Sequence, residues 1–176
     1  MLYRGGNDGY ALWDNELAGF LKYYQTASSQ GLRLSSLTTY VENNRRFFLG
    51  VYRAGNDQHE LVYDLDWNAF SSKTRELFER GLRLVSMTTY LTEGRRLFAG
   101  AFRAGTDALW ITGRDDWDTF IKSWSDLSNK NNRLISLNTW KENGKRVYVG
   151  VFRTGNDGHF LWVGVDWNDL VAKWKG

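Results

Sequence analysis

GLRLSSLTTYVENNRRFFLGVYRAGND, from Gly31 to Asp57, recurs as GLRLVSMTTYLTEGRRLFAGAFRAGTD from Gly81 to Asp107 and as NNRLISLNTWKENGKRVYVGVFRTGND from Asn131 to Asp157. The three stretches align at an offset of fifty residues without a gap, and self-similarity at a fixed period marks a repeat architecture. A fourth copy of the tail, YRGGNDGYALW, runs from Tyr3 to Trp13. The sequence therefore divides into units 14–65, 66–115 and 116–165, with partial units 1–13 and 166–176 at the two ends of a single repeat domain.

Working outward from the repeated core, Asp66, Asp116 and Asp166 each precede a tryptophan that opens an amphipathic run. A carboxylate placed there can accept the free N–H groups of a first helical turn. Behind Asp116, the apolar residues Trp117, Phe120, Ile121, Trp124 and Leu127 follow helical spacing, and Trp167, Leu170, Val171 and Trp174 repeat it. Gly31, Gly81 and Asn131 stand where each helix should stop, and these two residue types adopt the left-handed conformation of a helix C-cap most readily. A first strand (RLSSLTTY and its copies) then leads into a tight turn at Asn44, Gly94 or Gly144. The second strand alternates an aliphatic row, Phe47, Leu49 and Val51 in the first copy, with a row holding Arg46, Phe48, Gly50 and Tyr52.

Bulk on both rows implies sheets covered on both faces, by the unit's own helix on one side and a neighbouring unit on the other. The central glycine of the second row leaves room for an aromatic ring from the adjacent unit. A third strand, HELVYDL, ALWITG or HFLWVGV, follows the turn. The expected fold is α+β: pseudo-symmetric tandem repeats of about fifty residues, each one helix plus a three-stranded antiparallel sheet. A unit this short buries too little of its own surface, so the units must stack. The terminal pieces, two parts of a fourth unit, could meet to close a ring, complement other copies in a homo-oligomer, or belong to a longer array.

Composition limits the chemistry. With 42% hydrophobic and 16% aromatic residues the 176-residue chain can fill a core, and 23 Lys plus Arg against 20 Asp plus Glu leaves a charge of only +3. That balance permits a nucleic-acid partner without indicating one, and none is expected. No cysteine is present, so disulfides, thiol nucleophiles and Cys-ligated metals are excluded. No window approaches the roughly 20 apolar residues of a membrane-spanning helix, so no membrane partner is expected. His59 and His159 share one place in their units, but Leu109 stands there in another copy, which speaks against a metal ligand or catalytic base. Glu42, Glu93 and Glu142 fall in hairpin turns, so no carboxylate pair for glycoside hydrolysis is identifiable. Neither a catalytic residue nor a cofactor is expected.

Arg53 with Asp57, Arg103 with Asp107, Arg153 with Asp157, and Arg4 with Asp8 flank the glycine-containing turn. One reading is a set of ligand-binding clefts in which guanidinium and carboxylate bond vicinal hydroxyls beside an aromatic ring, as in a multivalent lectin. The other is a staple that closes the turn. Arg33, Arg83 and Arg133 lie near helix C-termini, where a cation is favourable, and Arg46, Arg96 and Arg146 share a face with aromatics.

The pattern W-x-x-F, G-x-R-L-x-S-x-x-T-Y, a G-R-R turn and F-x-G-x-F-R is carried by Trp67, Phe70, Gly81, Arg83, Leu84, Ser86, Tyr90, Gly94, Arg96, Phe98 and Phe102 and their equivalents. It resembles the tandem repeat in the N-terminal region of fungal polyglycine hydrolases and related bacterial repeat proteins. That resemblance implies a secreted accessory repeat, with catalysis belonging to a separate serine β-lactamase-type domain. Nothing here matches its S-x-x-K nucleophile; Ser71-Ser72-Lys73 has the wrong spacing, and Ser125-Asp126 lacks the Asn of an S-D-N element. The expected function is a non-catalytic repeat module binding carbohydrate. A structural or self-assembling repeat without a small ligand is the alternative, and an enzyme inhibitor or accessory domain of a secreted hydrolase is a third.

Overall fold

The structure is a computed structural model that describes residues 10–162 and 166–175. Its elements run β1 (Tyr10–Asn15), α1 (Leu17–Ser29), β2 (Leu32–Glu42), β3 (Arg45–Ala54), β4 (His59–Leu65), α2 (Trp67–Glu79), β5 (Leu82–Thr92) and β6 (Arg95–Ala104). The chain continues with β7 (Leu109–Ile111), α3 (Trp117–Asn129), β8 (Asn132–Glu142), β9 (Lys145–Thr154) and α4 (Trp167–Lys175). They form three open antiparallel sheets of three strands, ordered β1-β3-β2, β4-β6-β5 and β7-β9-β8.

The helix starts and stops obey the local chemistry. Asp66, Asp116 and Asp166 each accept a hydrogen bond from the backbone N–H three residues on, at 2.9 Å. Gly31, Gly81 and Asn131 follow the helices at φ of 75°, 79° and 57°. Both central residues of every hairpin turn have positive φ, as type I′ geometry requires: Asn43 and Asn44, Glu93 and Gly94, Asn143 and Gly144. Tyr40, Tyr90 and Trp140 hold equivalent register positions, opposite Phe47, Leu97 and Val147. From helix to hairpin the three copies thus share one backbone, while their first strands differ: β4 is irregular at Asp64, with φ of 56°, and β7 has only three residues.

One sequence expectation changes phase. The strand after each turn does not pair back onto the strand before it: β4 lies antiparallel to β6, with His59 opposite Arg103, and β7 lies against β9, with Leu109 opposite Arg153. Each sheet therefore takes its first strand from ahead of its helix, and the structural repeat reads strand, helix, hairpin over 10–54, 59–104 and 109–154. The physical reason is the turn at residues 55–58 and its copy at 105–108, which crosses from one sheet to the next instead of folding back. In the last copy, residues 159–162 form no strand and 163–165 lie outside the described residues. Closure of the ends into a ring would involve residues 1–9, which also lie outside them.

The second correction concerns the central glycines. A Cβ on Gly50 would sit 2.8 Å from Leu34 Cδ1 and 2.9 Å from Phe20 Cε2; on Gly100, 3.1 Å from Phe70; on Gly150, 2.8 Å from Phe120. The visitor is the ring of the unit's own helix, not of its neighbour. This close approach fixes each helix on one sheet face.

The other face meets the preceding unit. Leu97, Ala99 and Ala101 of β6 are buried in one cluster with Phe20, Leu34, Leu37, Phe48 and Tyr52 of the first unit. Val147, Val149 and Val151 of β9 join Phe70, Leu77, Leu84, Met87 and Phe98 of the second. On the first sheet, which has no preceding unit among the described residues, the equivalent row Phe47, Leu49 and Val51 is half-buried. The core is thus made at the junctions, as expected of units that cannot hide their apolar faces alone.

Candidate functional site

The arginines and aspartates of the turns come together, but between units. Arg103 Nε donates to Asp57 Oδ2 at 2.9 Å and Arg103 Nη2 to Asp57 Oδ1 at 2.5 Å. Arg153 repeats this with Asp107, at 2.8 and 2.5 Å. Such a two-pronged guanidinium–carboxylate contact is the strongest geometry an ion pair adopts. Sequence proximity pairs Arg53 with Asp57 and Arg103 with Asp107 inside one unit; the structure instead pairs Asp57 with Arg103 and Asp107 with Arg153, because the strand crossing carries Asp57 to the edge of β6. Arg4 and Asp8 lie outside the described residues.

A second arginine completes each node. Arg33 Nε donates to the backbone oxygen of Asp57 at 2.8 Å, while its Nη1 caps Ser28 O at 3.0 Å and Leu32 O at 3.0 Å. Arg83 bonds Asp107 O in the same way and caps Phe78 O at 3.1 Å; Arg133 bonds Asp157 O at 2.5 Å and Ser128 O at 3.3 Å. The expected placement of these cations at helix C-termini is what the structure has. Gly55 lies pressed beneath the node: a Cβ there would stand 2.7 Å from Arg103 Nη2, 2.9 Å from Asp57 Oδ1 and 3.0 Å from Arg33 Cγ. The same holds at Gly105, 2.8 Å from Arg83 Cγ and 2.9 Å from Arg153 Nη2. A side chain at the turn position would thus have to displace an arginine of the node.

Hydrogen bonding from Arg103 holds the Asp57 carboxyl below its ordinary pKa despite partial burial, and Arg153 does the same for Asp107. The third node is incomplete among the described residues. Asp157 Oδ1 meets only Arg133 Nε, at 3.8 Å, and its side chain is 74% exposed against 27% and 28% for Asp57 and Asp107.

Further contacts tie the units. Ser86 Oγ accepts from Leu37 N at 3.0 Å and donates to Leu37 O at 3.3 Å, and Ser136 Oγ stands to Met87 N and O at 3.4 and 3.5 Å. Tyr90 packs edge-on against Phe48 and Trp140 against Phe98, at 5.2 and 5.6 Å between ring centres. Arg46 lies over Tyr90 and Arg96 over Trp140, so these cations serve inter-unit packing.

The histidines are built into the same joints. His59 Nε2 is 2.8 Å from Ser28 Oγ, and His159 Nε2 is 2.9 Å from Ser128 Oγ. Since the Ser28 hydroxyl donates to Tyr24 O at 2.7 Å, His59 Nε2 carries the proton and donates to Ser28. Sequence reasoning missed this pair, although the covarying copies Ser28/Phe78/Ser128 and His59/Leu109/His159 signal it. No group of three His, Asp or Glu able to hold a metal ion occurs among the described residues, and none of their helices is long and apolar enough to cross a membrane.

No curated protein and no solved structure matches the chain. The sequence model of a family described as polyglycine hydrolase-like, structural repeat matches twice in tandem, at residues 6–53 and 59–104, together more than half of the chain. Those two windows coincide with the strand–helix–hairpin repeats of the first two sheets, and by that match the chain belongs to the polyglycine hydrolase-like structural repeat family.

Proposed function

We propose that the chain is a non-catalytic structural repeat, a scaffold whose charged turn residues serve to lock one unit to the next. The observation that carries this is the bidentate pairing of Asp57 with Arg103 and of Asp107 with Arg153 across consecutive sheets. Both donors of each guanidinium edge are engaged by the chain itself, and the main-chain carbonyl oxygen of each aspartate accepts from a second arginine. A saccharide hydroxyl would have to compete with these bonds.

Asp57→Asn together with Asp107→Asn tests the reading. Each exchange keeps shape and removes the charge, and about 1 kcal/mol of stability per partly exposed node should go with it. The pH dependence gives the sign. Carboxyls held below their ordinary pKa stabilise the fold fully above about pH 4, the unfolded Asp value, and lose that contribution as pH falls through their folded pKa. Acid titration of the double variant should therefore show a flatter fall in stability. A variant as stable and as acid-sensitive as the parent would sink the joint role.

A second reading, multivalent carbohydrate binding at Arg53, Asp57, Arg103, Asp107, Arg153 and Asp157, with Arg4 and Asp8 as the fourth copy, draws support from the 74% exposure of Asp157. That carboxylate is open to a hydroxyl-bearing ligand. A glycan array decides it: binding that Asp157→Asn removes supports the lectin reading, and a blank array removes it.

A further inference from the structure

At offsets of fifty, Tyr24, Thr74 and Trp124 occupy one helical position, as do Leu21, Ser71 and Ile121. In the first copy the Tyr24 ring lies against His59 of the next strand, at 5.4 Å between ring centres; in the third the Trp124 ring lies against His159, again at 5.4 Å. In the second copy the ring is missing. Thr74 and Ser71 replace the two bulky residues, Leu109 replaces the histidine, and Gly113 follows on the strand side.

What remains is a groove of about 390 Å³ between α2 and β7, within the range of small-ligand pockets. Trp67, Phe70 and Phe78 give it aromatic walls, Leu109 and Ile111 an aliphatic side, and Arg75 a cationic rim. Thr74 Oγ1 in its wall is buried and has no hydrogen-bond partner among the described residues. Arg75 is exposed and makes no ion pair among them, and the other copies carry Gln25 and Ser125 at its place.

We infer that the groove between α2 and β7 is a binding site for a planar aromatic ring bearing a carboxylate, the ring taking the place that Tyr24 and Trp124 fill in the other copies and the carboxylate meeting Arg75. The chain supplies its own template for the occupant. Both rings that fill the equivalent space are flat and carry one polar atom, a phenol oxygen and an indole nitrogen. The cation at the rim, present only where the ring is absent, selects an anionic substituent. The site adjoins the Asp107 node at one wall, where Arg83 lies 3.8 Å over the Phe78 ring, but uses none of the node's ion-paired groups and does not depend on the scaffold role.

Titration of the 176-residue chain with indole-3-acetate and with neutral indole, followed by heteronuclear NMR, tests this. Saturable shifts confined to α2 and β7 are expected, with a dissociation constant on the order of a millimolar and binding of indole several-fold weaker. Thr74→Trp, which installs the residue of the third copy, should weaken binding at least tenfold, and Ser71→Ile fills the same space if the first variant misfolds. Arg75→Gln, the residue of the first copy, should bring indole-3-acetate down to the level of indole. Absence of saturable shifts, shifts mapping elsewhere, or binding indifferent to the filling variants would each overturn the proposal.

Discussion

At the first junction a tyrosine ring, a histidine and a serine close the space between helix and incoming strand; at the second, threonine, leucine and phenylalanine leave it open. Below that difference the two junctions are alike. Each has a two-pronged ion pair, a serine bonded to a neighbouring backbone, and an aromatic ring set edge-on into the previous sheet. The joint is therefore carried by the strands and turns, while the helix-to-strand cleft is free to vary. A position that the sheet contacts do not use can be emptied without undoing the stack.

The strongest way to break the likeness is to remove the interlocking rings. Tyr90 and Trp140 are both buried, 3% and 6% exposed, so Tyr90→Ala and Trp140→Ala should each cost about 3–5 kcal/mol in denaturant unfolding. The phenylalanine variants separate the junctions. Tyr90 Oη donates to Asp64 Oδ1 at 2.7 Å and accepts from Asp64 N at 3.0 Å. Trp140 Nε1 has no partner among the described residues. Tyr90→Phe should accordingly cost about 1 kcal/mol, the net worth of its hydrogen bonding to Asp64, since Asp64 is exposed and water can replace the lost partner, whereas Trp140→Phe gives up packing volume alone. A Tyr90→Phe variant as stable as the parent would mean that the Asp64 contacts contribute nothing.

A smaller effect sharpens the contrast at the cleft. Burial, helped by the Arg33 charge, holds the His59 imidazole below its ordinary pKa. The folded protein then takes up that proton less readily than the unfolded chain. Stability must fall as pH drops below about 6.5, the unfolded value, and level off only beneath the folded pKa. His59→Leu copies the second junction. It should flatten stability between pH 7 and pH 5 and cost about 1 kcal/mol at neutral pH, one hydrogen bond, since Ser28 keeps its bond to Tyr24 O. An unchanged acid profile would show that His59 does not titrate across this window.

How far the sequence could be read follows from the repeat itself. Helix caps, C-caps and hairpin turns depend on neighbours within a few residues, so Asp66, Gly81 and Asn143-Gly144 were legible one by one. Contacts between distant residues were legible only modulo fifty. Asp57 faces an arginine of the class Arg53, Arg103 and Arg153, but identical copies give no clue as to which one. The same degeneracy hid the crossing of β4 and gave the central glycines the wrong visitor. The cleft was readable in principle, because there the copies differ and their differences move together: Tyr24 with His59, Thr74 with Leu109, Trp124 with His159.

The finest test lies in the hairpins, where the copies again disagree at one place. The first turn residue has φ of 48° at Asn43, 51° at Glu93 and 50° at Asn143. Asparagine tolerates that left-handed region; glutamate, with a longer side chain and no local hydrogen bond to compensate, does so less well. Glu93→Asn should therefore stabilise the second unit by a few tenths to about 1 kcal/mol, the usual range for relieving a mismatched backbone position. The turn is solvent-exposed, so no lost packing offsets the gain. Asn143→Glu should cost a similar amount in the third unit. If both exchanges leave the unfolding midpoint unmoved, the positive φ at Glu93 carries no strain, and the preference for asparagine in its sister copies has another origin.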